Sequence, residues 1–222
     1  MQIEQKLWKK DGGWSKSLKD NLSSQADIVF AFGGRQEIEN PDRLKELREF
    51  YPGAKILFCS TAGEIYDTTV LDNSISVAAV RFDSTKLSFA EEKILEAGQS
   101  FAVGEKLAAS LPKDNLVHVM IFSDGLKVNG TALVNGLNKN LPSSVSATGG
   151  LVGDGSDFKK TLVGLDKVPI EGNIVIVGFY GQKLKVGYGS LGGWDAFGLE
   201  RTITKSKDNI LYELDNQPAL KL

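Results

Sequence analysis

A chain of 222 residues, 41% hydrophobic and 24% charged, has ordinary globular composition and can bury a large core, which excludes disordered, collagen-like and coiled-coil classes. Its 26 Lys and Arg and 28 Asp and Glu are scattered without a basic block, so nucleic acid is an unfavoured partner, and no apolar run approaches the roughly 20 residues of a membrane span. One cysteine, Cys59, and one histidine, His118, leave no internal disulfide and too few soft ligands for a structural zinc site; with no apolar leader at the N-terminus, the cytoplasm is the expected compartment.

In chain order, the first buried-strand pattern is residues 28–32, closed by Gly33-Gly34. Pro41 then opens a helix in which Leu44, Leu47 and Phe50 share a face before Pro52-Gly53 stops it. Residues 55–59 predict a second strand, and 75–82 and 86–94 flank Asp83-Ser84-Thr85 as a hairpin would. A helix is predicted over 101–111, a central apolar strand over 115–122, and a helix over 131–141 carrying Leu133, Leu137 and Leu141. From Val145 onward helix signals nearly vanish, and short strand-like runs (159–165, 173–180, 183–188, 199–204) alternate with glycine turns. No repeat or linker intervenes, so residues 1–222 are read as one unit. The expected class is α/β to α+β: mixed sheets flanked by helices, with an antiparallel-rich C-terminal half, in a layered sandwich.

Open α/β sheets bind ligands beyond the carboxyl ends of their strands, where loops diverge and free backbone groups converge. Three strands end in such loops: Gly33-Gly34-Arg35, then Ser60-Thr61-Ala62-Gly63-Glu64, then Ser123-Asp124-Gly125. If those strands are parallel, the loops share one edge. Ser60 and Thr61 either hold a ligand or turn the chain, since Thr61 and Glu64 have the spacing of a capping box. Asp124 either receives a ligand group or closes an Asx turn, and Asn129-Gly130 reads as a turn or the start of a helix. Gly149, Gly150 and Asp154 lie in the glycine-dense run 149–155, which lets main-chain amides approach a polar ligand or makes a tight bend. No helix pattern follows that run, so it is no dinucleotide fingerprint. Trp194, presented by Gly192-Gly193, either walls a pocket or packs in the core.

Catalysis is poorly provided for. Ser60, Ser123 and Cys59 are the candidate nucleophiles of a hydrolase or transferase, but the only base within reach of the composition is His118, set mid-strand among apolar neighbours. His118 is read as a core histidine; its rival role is as an axial haem ligand, since a neutral imidazole on an apolar wall suits iron. Otherwise no cofactor is expected. Asp154 and Asp157 are too few oxygens to specify a metal, and none is expected.

Six segments in order, CSTAGEI (59–65), FSDGL (122–126), GGLVGDG (149–155), FYG (179–181), GGW (192–194) and YELDNQPAL (212–220), closely resemble the FIST N-terminal domain from about residue 26 to 220. The resemblance implies a sensory domain of signal transduction that binds small ligands such as amino acids; together with the loop reading above, it leads to the expectation of a non-enzymatic binding module in which Ser60, Thr61, Asp124, Gly149, Gly150, Asp154 and Trp194 converge on one pocket. It also implies a haem-binding, nitric-oxide-responsive alternative through His118. Such domains usually continue into a C-terminal FIST domain, whereas this sequence ends at Leu222. The expected partners are therefore a small molecule, a signalling protein or a C-terminal FIST domain, and a second copy if an apolar face is left bare.

Overall fold

The computed structural model describes residues 1–15, 22–189, 191–193, 195–207 and 210–221, in two compact units, Met1–Val186 and Gly187–Leu222. The first unit runs β1 (Gln2–Lys9), β2 (Gly13–Trp14), β3 (Ile28–Gly33), α1 (Arg35–Glu39), α2 (Pro41–Phe50), β4 (Lys55–Ser60), β5 (Glu64–Tyr66), β6 (Thr69–Leu71), β7 (Ser74–Arg81), β8 (Lys86–Lys93), α3 (Ser100–Ser110), β9 (Leu116–Ser123), α4 (Gly130–Asn140), β10 (Ser146–Leu151), β11 (Val163–Leu165) and β12 (Asn173–Tyr180). The helix starts follow local chemistry. Asn40 caps α2 by accepting from the Asp42 N–H with Pro41 at the first helical position, and Asn129 caps α4 by accepting from the Ala132 N–H.

Two mixed sheets result. One has the order β11-β4-β3-β7-β1-β2, with β3 and β4 parallel and its other pairs antiparallel. The other has the order β10-β9-β12-β8, with β10 and β9 parallel and β12 antiparallel to both its neighbours. The class expected from the sequence holds.

Strand alternation sorts the apolar side chains into three layers of core. Val29, Ala31, Ile56, Phe58 and Val77 of the first sheet pack under Ile38 of α1 and Leu47 of α2. Its opposite face, with Ile28, Leu57 and Cys59, meets Phe122, Val175, Val177 and Phe179 of the second sheet. The far side of the second sheet, Val119, Ile121, Ile174 and Ile176, packs against Leu107 of α3 and Leu133 and Leu137 of α4. The unit is thus a helix–sheet–sheet–helix sandwich, each fully buried Leu, Ile, Val or Phe contributing about 1.5–3 kcal/mol. Strand β12 lies inside its sheet with both faces covered, and every one of its eight residues is buried.

Several expectations change. Strands β7 and β8 form no hairpin: β7 pairs with β1 and β3, whereas β8 pairs with β12 in the other sheet, so Asp83-Ser84-Thr85 carries the chain between layers. The C-terminal half is antiparallel-rich as expected, with β10 beside β9 its one parallel strand pair among the described residues. Residues 159–162 and 183–188 form no strand, and the expected strand at 199–204 sits instead at Ile203–Lys207.

In the second unit, β13 (Ile203–Lys207), β14 (Ile210–Leu214) and β15 (Gln217–Pro218) form a three-stranded antiparallel sheet. Asp215 and Asn216 turn β14 into β15 with positive φ, and the Asp215 carboxylate accepts the Thr202 N–H. Among the described residues, no helix of either unit is long and apolar enough to cross a membrane.

Candidate functional site

Parallel strands β3 and β4 end side by side at Gly33 and Ser60, and the chain leaves both ends on the same edge of the sheet. A cleft of about 600 Å³ opens there. Its floor is Gly34 and Arg35 after β3 and Thr61 to Glu64 after β4; Asp72 and Asn73, between β6 and β7, form one wall, and Asp154 to Asp157 the other.

Arg35 stands in the first turn of α1 with its guanidinium spread over three carboxylates. Its Nε donates to Asp154 Oδ1 at 2.6 Å, one terminal nitrogen to Asp157 Oδ2 at 3.1 Å and the other to Glu39 Oε2 at 3.3 Å. The second Asp154 oxygen accepts the backbone N–H groups of Lys159 and Lys160 at 3.0 and 2.8 Å. Burial pushes the Asp154 carboxyl up, but those amides and Arg35 outweigh it and hold the group below its ordinary value; Asp154 in turn holds the Arg35 guanidinium above its own. Lys160 also pairs with Glu39, so α1 and the 154–160 segment are tied at two points.

Thr61 and Glu64 do not cap a helix. Thr61 Oγ1 donates to Glu64 Oε1 at 2.5 Å, while Glu64 Oε2 accepts the N–H and hydroxyl of Ser74, and Glu64 opens strand β5. Ser60 turns inward, donating to the Gly153 carbonyl at 2.6 Å and accepting the Leu162 N–H at 2.8 Å. Gly153 passes so close to the β4 end that a Cβ there would lie 2.9 Å from the Ala62 nitrogen, which explains a residue without a side chain.

The sequence candidates are therefore divided. Thr61 and Asp154 share the cleft, joined by Arg35, Asp72 and Asn73, which the sequence reading did not single out. The signal available for Arg35 was its position directly after the Gly33-Gly34 strand end; Asp72 and Asn73 gave none, because they belong to a turn distant in sequence. Ser60 is a buried staple behind the cleft. Asp124 is also buried, and its carboxylate accepts from the backbone N–H groups of Leu126, Lys127 and Gly172, a complete set of turn contacts that leaves it outside the cleft. Gly149 and Gly150 line a second, more apolar cavity of about 340 Å³ between β10 and α4. Trp194 lies outside the described residues.

His118 is 1% exposed on β9, and both ring nitrogens are engaged by hydroxyls of the neighbouring strand: Nδ1 with Ser146 Oγ at 2.7 Å and Nε2 with Thr148 Oγ1 at 2.9 Å. Burial lowers its pKa. An axial haem ligand needs a free nitrogen facing a slot wide enough for a porphyrin, and His118 faces Phe179 within the sheet-to-sheet core, so haem does not fit here. Among the candidate nucleophiles, Ser60 and Ser123 are each 1% exposed and Cys59 is fully buried, its thiol pKa pushed up by burial.

A polar cleft at the ends of a parallel strand pair lies where open sheets hold their ligands. The family model of the FIST N domain matches residues 27–217, and the chain belongs to that family, whose members are sensory domains of signal transduction and not known enzymes. No curated protein matches the chain.

Proposed function

We propose that this chain is the cytoplasmic input domain of a signalling assembly and that its ligand is a small polar molecule bearing both an anionic and a cationic or hydroxyl group, such as an amino acid, held in the Arg35–Asp154 cleft. One observation carries the reading: a guanidinium whose side chain is 20% exposed lies between the carboxylates of Asp154 and Asp157, in a concave site of small-molecule size that Asp72 also lines. A ligand carboxylate would compete with Asp157 for Arg35, and a ligand amine would take the released acid. The ligand would stabilise the arrangement of α1 against the 154–160 segment in which it binds best, and that difference is what an output partner, including a C-terminal FIST domain, would read.

The test is a thermal-shift screen of amino acids and related metabolites, followed by calorimetry with each hit. Binding should fall at least tenfold in Arg35→Ala and in Thr61→Val while the fold is retained. Hits that bind both variants as well as the parent would refute this site, and no hit from such a panel, together with no small molecule copurifying by mass spectrometry, would refute the ligand class.

A further inference from the structure

Among the described residues, the two large sheets of the first unit have four edges, and three of them are short or charged. Strand β2 has two residues and pairs only with Trp8 and Lys9 of β1, whose remaining length carries Glu4 and Lys6; β11 has three residues, and β8 reads KLSFAEEK, with Lys86, Glu91, Glu92 and Lys93 along it. The fourth edge, β10, has six residues, SATGGL, with no charge and no proline, and its last three are exposed. Beside it lies the 340 Å³ cavity, whose lining includes Leu133, Val134 and Leu137 of α4 and no charged side chain. Val134 is 45% and Leu151 50% exposed there. An edge of this length and neutrality is a template for a further strand.

Its own geometry indicates which strand. In a parallel ladder alternate residues bond the neighbour; the Val152 N–H donates to the Ser123 carbonyl, which assigns the even-numbered residues to β9 and turns the backbone groups of Ala147, Gly149 and Leu151 toward the open side. An antiparallel partner using the same three residues about a two-fold axis at Gly149 sets Ala147 against Leu151 of the other copy. The large half-exposed side chain then meets the small one at the cavity, twice. A two-fold contact brings every charge near its own copy, so a patch without charges is the pattern that self-pairing tolerates.

We infer that β10 is a homodimerisation edge, through which two copies of this chain pair antiparallel and join their four-stranded sheets into one of eight. The surface covered is on the order of 500 Å² per copy, below the roughly 800 Å² of a standard interface, so the dimer is weak and reversible, with dissociation in the micromolar range or above. The inference is independent of the ligand assigned to the cleft.

Sedimentation equilibrium of the whole chain from about 1 µM to about 500 µM should show the mass rising from one chain toward two. Leu151→Asp, at a half-exposed position, should keep the melting temperature and move the midpoint of association at least tenfold upward. The double variant Ala147→Cys with Leu151→Cys should give a covalent dimer on mild oxidation, whereas Leu151→Cys alone should not, because its two copies are held four residues apart across the axis. Monomer at every concentration would assign the edge to a different chain or to none and overturn the inference. So would a dimer indifferent to Leu151→Asp, which would place the contact elsewhere, for instance on the Gly187–Leu222 unit, or equal cross-linking by the single cysteine.

Discussion

Replacing Asp154 by Asn tests whether the cleft wall is held by charge. The contact joins Arg35 Nε to Asp154 Oδ1 at 2.6 Å, with the Asp154 side chain 3% exposed and that of Arg35 20%. A charge-assisted hydrogen bond contributes about 1.5–3 kcal/mol, and breaking a fully buried pair costs about 3–5 kcal/mol. Arg35 retains Asp157, Glu39 and some water, so the lower part of that span applies, about 2 kcal/mol. With a urea slope near 2 kcal/mol/M, the midpoint of equilibrium unfolding at pH 7, followed by circular dichroism, should drop by about 1 M with the slope unchanged. Asp157→Asn removes a partner whose side chain is 49% exposed and should cost under about 1 kcal/mol. The pH dependence has a definite sign. The folded Asp154 pKa is depressed, so its contribution is complete above the unfolded value near 4 and is lost as pH falls through the lower folded value; the Asn variant should lack that acid-range loss. An Asp154→Asn protein within about 0.5 kcal/mol of the parent would refute the reasoning, since the largest loss compatible with it would then be that of a surface pair.

Three further outcomes are expected. The folded His118 pKa is lowered by burial, so its contribution is complete above about pH 6.5 and declines as pH falls through the depressed value; His118→Gln should flatten the fall in melting temperature between about pH 7.5 and pH 5, and an unchanged profile would exclude this residue as the source. Gly136→Ala should destabilise by about 1–3 kcal/mol although Ala is the better helix former by about 1 kcal/mol, because its Cβ would lie 2.1 Å from the Phe101 carbonyl where α3 and α4 touch. A neutral or raised urea midpoint would show that the two helices separate easily. Cys59, fully buried with its thiol pKa raised, should resist a thiol-specific disulfide reagent until the protein unfolds, and rapid labelling of native protein would contradict its placement.

The elements legible in the sequence are those whose apolar pattern was uninterrupted. Residues 28–32 and 55–59 read as buried strands because each is covered on both faces, and the helix from Pro41 carried its own start and stop residues. Strand β1 was missed since one of its two buried positions is Glu4, a carboxylate that breaks the alternation and accepts the Leu22 N–H. The hairpin expectation for 75–94 failed because a short polar turn looks the same whether it reverses a strand within one sheet or passes the chain to the next. Within the site, strand-end loops were legible as a group, but which side chains turn outward was not. Ser60 and Asp124 are polar residues at strand ends like Thr61, yet Ser60 bonds Leu162 and Gly153, and Asp124 gives one oxygen to Gly172 and the other to the local turn at Leu126 and Lys127. Partners 48 to 102 residues away leave no local mark.

The segment after β10 touches both sheets in quick succession. Val152 bonds Ser123 at the end of β9, Gly153 bonds Ser60 at the end of β4, and Gly155 bonds Thr61 beside the cleft. Only two residues separate Leu151 on one sheet's rim from Asp154 beneath the guanidinium. Any displacement of Asp154 would therefore have only two residues in which to be absorbed before it reached the rim of the other sheet.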